Sequence, residues 1–489
     1  MSVSTDKSGS WSERRLQWVA IGTLLGTRLW TMASLPLADP TEARYGELAR
    51  VTADGGFWLM PHMSPSEPFL AKPPLATWLS AASWKLLGST EFALRAPSLI
   101  MAIVTIAIVA AIARDLGIGR AGRRMAVAVL VTTPLFMVTA GAVMTDAVHL
   151  ALASAGMWLA WRAIHASDQR RWRLAFWIII GAATLAKGLA TVALIGLPLV
   201  AYAACGGGAS RVWRGLWDAL GVLIAATIAI AWYLPAERAS PGFLKYFFIG
   251  EHLQRFLEPG WSGDRYGRPH RVPWGTIWLY WALAIAPWVG LFVSQASTLW
   301  SRVRRRALEP DDRWLWCWLL APLIFFSLAS NIIWTYALTA IPPFALLCGR
   351  WSEHATGRLR RVVPLVIALV AAVSVVFGVW WLPRMADASS SRELIRTAQT
   401  QRPGVPIVVR GLYPFSASYY TRGTVLRGED LRVFSAALTQ PRALLIVPLA
   451  DAPQWFAQTP VRELARNTRG LLVEVQPATA TDRGGEHRQ

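Results

Sequence analysis

Charge is what this chain has least of: Asp, Glu, Lys and Arg make up 16% of its 489 residues, against 54% hydrophobic residues. With 27 tryptophans besides, that balance excludes an ordinary soluble protein and points to a polytopic membrane protein. Cysteine is scarcer still. Cys205, Cys317 and Cys348 lie in or beside apolar runs with neither paired nor metal-ligand spacing, so no disulfide framework and no zinc site is implied. Internal repeats are lacking, and the Gly206 to Gly208 triplet, the nearest approach to low complexity, reads as a loop. Acidic residues number 29 against 49 basic ones, for a formal net charge of +20. A nucleic-acid binder gathers such charge on a soluble face, whereas here it falls in short clusters between apolar runs, the pattern that sets membrane topology.

What is plentiful is apolar sequence of spanning length, near 16–36, 91–113, 125–141, 143–161, 174–188, 189–205, 216–235, 274–297, 314–330, 332–349 and 362–382. With roughly 20 residues per span, and kinked spans easily split or fused, these runs predict about eleven transmembrane helices and up to thirteen. Arginines collect at Arg14 and Arg15, at Arg114 to Arg124, at Arg162 to Arg173, at Arg211 and Arg214, at Arg302 to Arg306, and at Arg350 to Arg361. These are alternate connections, so the positive-inside rule puts the N-terminus in the cytoplasm and two long loops, about 37–90 and 236–273, outside. The first run is read as a retained helix rather than a cleaved signal peptide, because it approaches spanning length and no small-x-small site follows it. An odd number of spans places the tail after Pro383 outside as well. There P-I-V-V-R-G and A-L-L-I-V-P-L are strand-like, while S-R-E-L-I-R-T-A-Q and A-P-Q-W-F-A-Q are helix-like, so residues 383–489 read as a small periplasmic α/β domain with a disordered end.

Candidate chemistry lies in the two outer loops. Asp39-Pro40-Thr41-Glu42 has the order of a helix start, with Asp39 as cap and Glu42 three residues on, while Arg44, Glu47, Arg50 and Asp54 have ion-pair spacing. Glu42 keeps two readings, half of a capping box or a working carboxylate. Lys72 stands before Pro73 and Pro74, which forbid a regular helix and fix its ammonium near the apolar boundary. There it either snorkels or neutralises a phosphate. In the second loop Glu251 and Arg255 share one helical face beside His252, as an interfacial ion pair would. Arg255, Arg265, Arg268 and Arg271 beside aromatic residues equally suit an anionic headgroup. Asp146 lies at the outer junction of two apolar runs, where an ionisable residue is a functional candidate. His149, one turn further on, reads as a core histidine, and Lys187 either faces the same site or marks a tight turn.

E-A-R-Y-G-E-L-A-R, F-L-A-K-P-P-L and F-A-L-R-A-P-S, then M-T-D-A, then E-H-L-Q-R-F, occur in that order. In these segments the chain, from about 36 to 350, resembles the GT-C membrane glycosyltransferases, specifically the family of the lipid A aminoarabinose transferase, related to protein O-mannosyltransferases. The resemblance implies transfer of a sugar from a polyprenyl-phosphate donor to an acceptor at the periplasmic face. It also implies that Glu42, Asp146 and Asp39 are catalytic candidates. Lys72, Arg255, Arg44 and Lys187 then become donor-phosphate ligands, and Tyr45, Glu251, His252 and Arg265 substrate ligands. The chain departs from the family pattern at Thr41, where Asp is frequent, at Ala71, where an acidic residue is frequent, and in S-L-A-S-N-I-I-W-T-Y, which lacks a lysine. Those departures put in doubt a metal site involving the first loop and identity with the aminoarabinose enzyme itself; a divalent metal stays open as a cofactor, but no clear ligand spacing supports it and no metal ligand is assigned.

The expectation is therefore a GT-C transmembrane catalytic domain over 1–382 and a periplasmic domain over 383–489, in a bacterial inner membrane. The expected activity is an inverting transfer from a polyprenyl-phosphate sugar to a lipid or lipopolysaccharide acceptor, with membrane lipids as surroundings and nucleic acid excluded. A protein O-glycosyltransferase is the alternative within the class. A lipid-linked sugar transporter or non-catalytic binding subunit is the alternative outside it, disfavoured because charges collect in outer loops and no repeated halves are visible.

Overall fold

The computed structural model describes residues 7–166, 169–267, 270–295, 297, 300–301, 304–305, 308–353, 357–440, 442–457 and 459–476. The sequence readings for Arg268, for Arg302 and Arg306, and for the last dozen residues lie outside them.

Apolar composition produces a helical bundle, and the polar and proline-rich breaks decide how it is cut. Helix α1 (Lys7–Ser34) leads to the first long connection, which contains α2 (Thr41–Gly55), a hairpin of β1 (His62–Ser64) and β2 (Glu67–Pro68), and α3 (Leu75–Leu87). Helix α4 (Glu91–Asp115) begins where the Thr90 side chain accepts from the Ala93 amide at 3.1 Å, satisfying one amide of the exposed first turn. The run near 125–141 is cut into α5 (Arg120–Thr132) and α6 (Pro134–Thr139), because Pro134 has no amide hydrogen to continue the ladder. Then follow α7 (Asp146–His165), α8 (Gln169–Lys187), α9 (Leu189–Tyr202), α10 (Ala209–Leu216) and α11 (Ala219–Ala239), the last capped by the Asp218 carboxylate on the Gly221 amide.

Between α8 and α9 the chain turns at Gly188, with φ of 65°. A side chain there would need left-handed backbone, and its Cβ would sit 2.5 Å from the Phe247 ring. Glycine thus lets the α8 terminus and the second outer loop approach closely. That loop is a wide-turned helical segment, Lys245–Gln254, ending in one tighter turn, Arg255–Leu257.

Proline also divides the later apolar runs. The run near 274–297 contains Thr276–Ala284 and Val289–Ser294 on either side of Pro287, and the run near 332–349 contains the 3₁₀ segment Trp334–Ala340 followed by Ile341–Glu353. Helix Pro310–Ser327 packs its buried Trp314 and Trp318 inward, and helix Gly357–Val376 lies against α1. By length and composition, five helices among the described residues suffice to cross a membrane: Glu91–Asp115, Asp146–His165, Leu189–Gly207, Ala219–Ala239 and Val362–Ala388. The chain is thus a helical, membrane-type protein.

The C-terminal region is an α/β unit. Five strands, β3 (Ile407–Val409), β4 (Leu426–Arg427), β5 (Leu444–Pro448), β6 (Val461–Arg466) and β7 (Gly470–Val475), form a sheet of order β4-β3-β5-β7-β6. Strand β3 runs parallel to β4 and β5, whereas β7 is antiparallel to β5 and β6. The period-two alternation of a pleated strand splits its side chains between two cores: Ile407, Val409, Leu444 and Ile446 pack with Leu394 and Ile395, while Val408, Leu445 and Val447 pack with Phe434 and Ala437.

Candidate active site

Glu251 is the hub of the charged cluster. Its side chain is fully buried, and it accepts from Lys72 Nζ at 2.7 Å, from Arg255 at 3.2 Å and, on the other oxygen, from the Tyr246 hydroxyl at 3.2 Å. Arg255 reaches on to Asp264 at 3.1 Å. Asn331 holds the end of the segment by donating to the Arg255 and Glu258 carbonyls, both at 2.7 Å. Burial alone would push the Glu251 carboxyl up, but Lys72, Arg255 and the Tyr246 bond hold it below the ordinary carboxylate range, so it is ionised at neutral pH. Burial pulls the Lys72 ammonium below its usual value near 10.5; Glu251 opposes that shift and Arg255 adds to it. The Lys72 ammonium also donates to the Ala71 carbonyl at 2.8 Å.

A second pair faces the first. Lys187, the last residue of α8, donates to Asp146, the first residue of α7, at 2.8 Å. Its ammonium lies 5.9 Å from the centre of the Tyr336 ring. His252 donates through Nδ1 to the Phe247 carbonyl at 2.8 Å, and burial lowers its basicity, so it stays neutral. His149 bonds Thr191 at 2.9 Å within the interior. Arg44, on α2, donates to the Tyr266 carbonyl and lies over the rings of Tyr45 and Phe415, at 5.5 and 5.8 Å.

These groups line one cavity of about 1040 Å³. Arg44, Tyr45, Lys72, Asp146, Lys187, Glu251, His252 and Arg255 are all on its wall, brought from five stretches of chain. The same wall has an apolar part, with Leu189, Ala193, Leu194, Phe248, Phe325 and Phe326. The sequence reading did not single out Asp264, Tyr266, Asn331, Thr335, Tyr336 or Phe415, which also line it. Asp264 follows Arg255 in the same charged loop, a signal that was available; Phe415 comes from the C-terminal unit and has no local signal.

Three candidates sit elsewhere. Asp39 does not cap its own helix: Pro40 occupies that position with no side-chain bond, and the Asp39 oxygens accept instead from the Phe415 and Ser416 amides at 3.0 and 2.9 Å. It caps a helix of the C-terminal unit, Pro414–Tyr420. Burial raises its carboxyl above the usual range, and the bonds to Ser416 and Phe415 pull it back. Glu42, expected to face substrate, instead accepts two bonds from Arg95, each 2.8 Å, and one from the Val143 amide at 3.2 Å. Arg95 also donates to the Met32, Leu35 and Pro36 carbonyls, so the pair is saturated internally and is absent from the cavity wall. Arg265 is exposed, stacked over Tyr246 at 5.1 Å, and is not on the wall either. Of the spaced charges on α2, Glu47 pairs with Arg50 at 2.7 Å and Arg50 with Asp54 at 3.6 Å, while Arg44 points to the cavity instead. Among the described residues no group of three His, Cys, Asp or Glu side chains has the arrangement of a metal site.

Comparison with known proteins gives the family and the fold. Residues 71–234 match the family model described as dolichyl-phosphate-mannose-protein mannosyltransferase. The chain is 30% identical over 370 residues to the undecaprenyl phosphate-alpha-4-amino-4-deoxy-L-arabinose arabinosyl transferase 2 of Proteus mirabilis, covering 71% of this chain and 63% of that one. It is 31% identical over 340 residues to the corresponding transferase 1 of Sodalis glossinidius, covering 67% and 57%. The matches thus span less than two thirds of these relatives' own length. The fold is similar to that of ArnT from Cupriavidus metallidurans bound to undecaprenyl phosphate, with TM-score 0.77, 19% identity, and coverage of 96% of this chain and 98% of that one. For the apo state of the same protein the TM-score is 0.75 at 20% identity, with 93% and 97% covered. The chain is accordingly a homologue of the aminoarabinose transferases and carries the GT-C membrane fold of ArnT.

Proposed function

We propose that this protein is an inverting glycosyltransferase that moves a sugar from a polyprenyl-phosphate donor to a lipid or lipopolysaccharide acceptor. The observation that carries this reading is the cavity lined both by Arg44, Lys72 and Arg255 and by apolar residues such as Leu189, Leu194, Phe325 and Phe326. Cations held in a water-poor site stabilise the charge that grows on a departing phosphate, and the apolar wall suits its polyprenyl chain. In one displacement, an acceptor oxygen forms the new bond to the anomeric carbon as the bond to the phosphate oxygen breaks. That oxygen keeps the electron pair beside Lys72. If the acceptor is a hydroxyl, its proton passes to Asp146, the cavity-lining carboxylate with one oxygen on Lys187. A phosphate acceptor has no such proton to lose. The named donors of the aminoarabinose transferase relatives support the choice of undecaprenyl phosphate as the carrier.

The proposal extends to placement. The eleven apolar runs, some folded as two short helices about a proline, act as the spans of a domain over 1–382 in a bacterial inner membrane. The N-terminus is cytoplasmic, and the cavity and the unit over 383–489 are periplasmic. A protein acceptor is the second reading, favoured by the mannosyltransferase model that matches 71–234.

Reconstitution with undecaprenyl-phosphate sugars and labelled acceptor lipids tests the reading, with product configuration read by NMR. Transfer with inversion is expected. A retained configuration sinks the single displacement, and full transfer by the Lys72→Ala variant sinks the site.

A further inference from the structure

The charges on the cavity wall cancel in pairs, with one exception. Asp146 is matched by Lys187 at 2.8 Å, Glu251 by Lys72 at 2.7 Å, and Asp264 by Arg255 at 3.1 Å. Arg44 has no carboxylate within ion-pair distance among the described residues; its partner is the uncharged Tyr266 carbonyl. With the lining histidines neutral, four cations against three carboxylates leave one unit of positive charge. A phosphodiester linking a sugar to a polyprenol carries one negative charge. The donor's own phosphate therefore brings the wall to neutrality before the sugar is counted.

What remains for the sugar is hydrogen bonding. The hydroxyls of Thr41, Tyr45, Thr335 and Tyr336 line the cavity, and none has a hydrogen-bond partner among the described residues. Ala71, beside Lys72, brings no polar side chain to the wall. Every lining carboxylate already has a cation against it, so a protonated sugar amine would enter a site whose negative charge is spent and whose nearest unmatched group is a guanidinium. Uncharged sugar hydroxyls, which donate and accept, meet the four free hydroxyls without that conflict.

From this we propose that the donor sugar is an uncharged, hydroxylated sugar and that the site discriminates against one bearing a protonated amine. The inference rests on the glycosyltransferase reading above, and it separates this chain from relatives named for 4-amino-4-deoxy-L-arabinose.

Competition binding to the full chain in nanodiscs, against labelled undecaprenyl phosphate at pH 7, tests it with three lipids. They carry glucose, 4-amino-4-deoxyarabinose, or the same sugar with its amine formylated, which removes the charge and keeps the ring. The glucose and formamido lipids are expected to bind within about 3-fold of each other, and the amino lipid about 10-fold or more weaker, as a single like-charge contact at low effective dielectric requires. Ala71→Glu is expected to narrow that gap; should this variant fail to fold, the wild-type comparison of amino and formamido lipids decides alone. An amino lipid that binds as tightly as its formamido counterpart, or tighter, overturns the inference and leaves the donor reading intact. If undecaprenyl phosphate itself binds no better than undecaprenol, the donor reading falls and the inference falls with it.

Discussion

Glu42 with Arg95 and Glu251 with Lys72 and Arg255 are built from the same chemistry and do opposite things. In the first, the arginine spends its donors on one carboxylate and three carbonyls, and neither partner lines the cavity. In the second, one carboxylate is shared by two cations, and both cations line the cavity. A saturated buried pair fixes the chain; a shared carboxylate holds two cations at a cavity wall, where a phosphate can reach them. The difference lies in donor counting and in which partner is reached from the cavity: Arg95 is buried, whereas Lys72 and Arg255 keep part of their surface exposed.

That comparison can be broken from both sides. Lys72→Ala should cost the most in function, about 10²–10³-fold in transfer, because the phosphate loses a preorganised cation. Assays of purified variant in nanodiscs check it, with the melting temperature expected to stay near wild type because Arg255 remains on Glu251. Glu42→Ala should show the reverse, about 3–5 kcal/mol of lost stability from the uncompensated Arg95, read by thermal unfolding in detergent. Donor affinity of whatever fraction folds should be unchanged.

The pH dependence sharpens the functional side. Lys72 is held as a cation by its ion pair with Glu251, and since its folded-state value lies below the ordinary 10.5, that charge is lost as pH rises earlier than for a free lysine. Affinity for undecaprenyl phosphate should therefore fall on an alkaline limb beginning below 10.5, and Lys72→Arg should remove that limb. A smaller effect is expected at Asp39→Ala: about 1 kcal/mol for the lost cap, visible as faster proteolysis near Ser389 and Ser390. Arg265→Ala, exposed and off the wall, should stay within about 0.5 kcal/mol in stability and keep wild-type donor affinity.

Local rules carried the reading as far as single segments. Pro73 and Pro74 made Lys72 legible, and the i,i+4 spacing of Glu251 and Arg255 anticipated a contact the structure places at 3.2 Å. The apolar runs located the helices, while their ends shifted wherever a proline such as Pro134 or Pro287 cut a run in two. Partners from elsewhere in the chain were not legible. Arg95 is 53 residues from Glu42 and Lys72 is 179 from Glu251, so nothing in either segment says that the first carboxylate is consumed internally and the second shared across a cavity. Asp39 failed for the same reason: its motif fits a cap, but the helix it caps begins at Pro414.

That displaced cap bears on the order in which the protein can be assembled. Asp39 grips amides 376 and 377 residues further along, Tyr420 takes the Leu37 amide 383 residues back, and Phe415 is part of the cavity wall. A ribosome that has finished every apolar run has still not delivered the segment that completes that wall. The growing chain therefore lies in the membrane with its charged cavity open on one side, and the wall is closed only by residues made after the apolar run at 362–382.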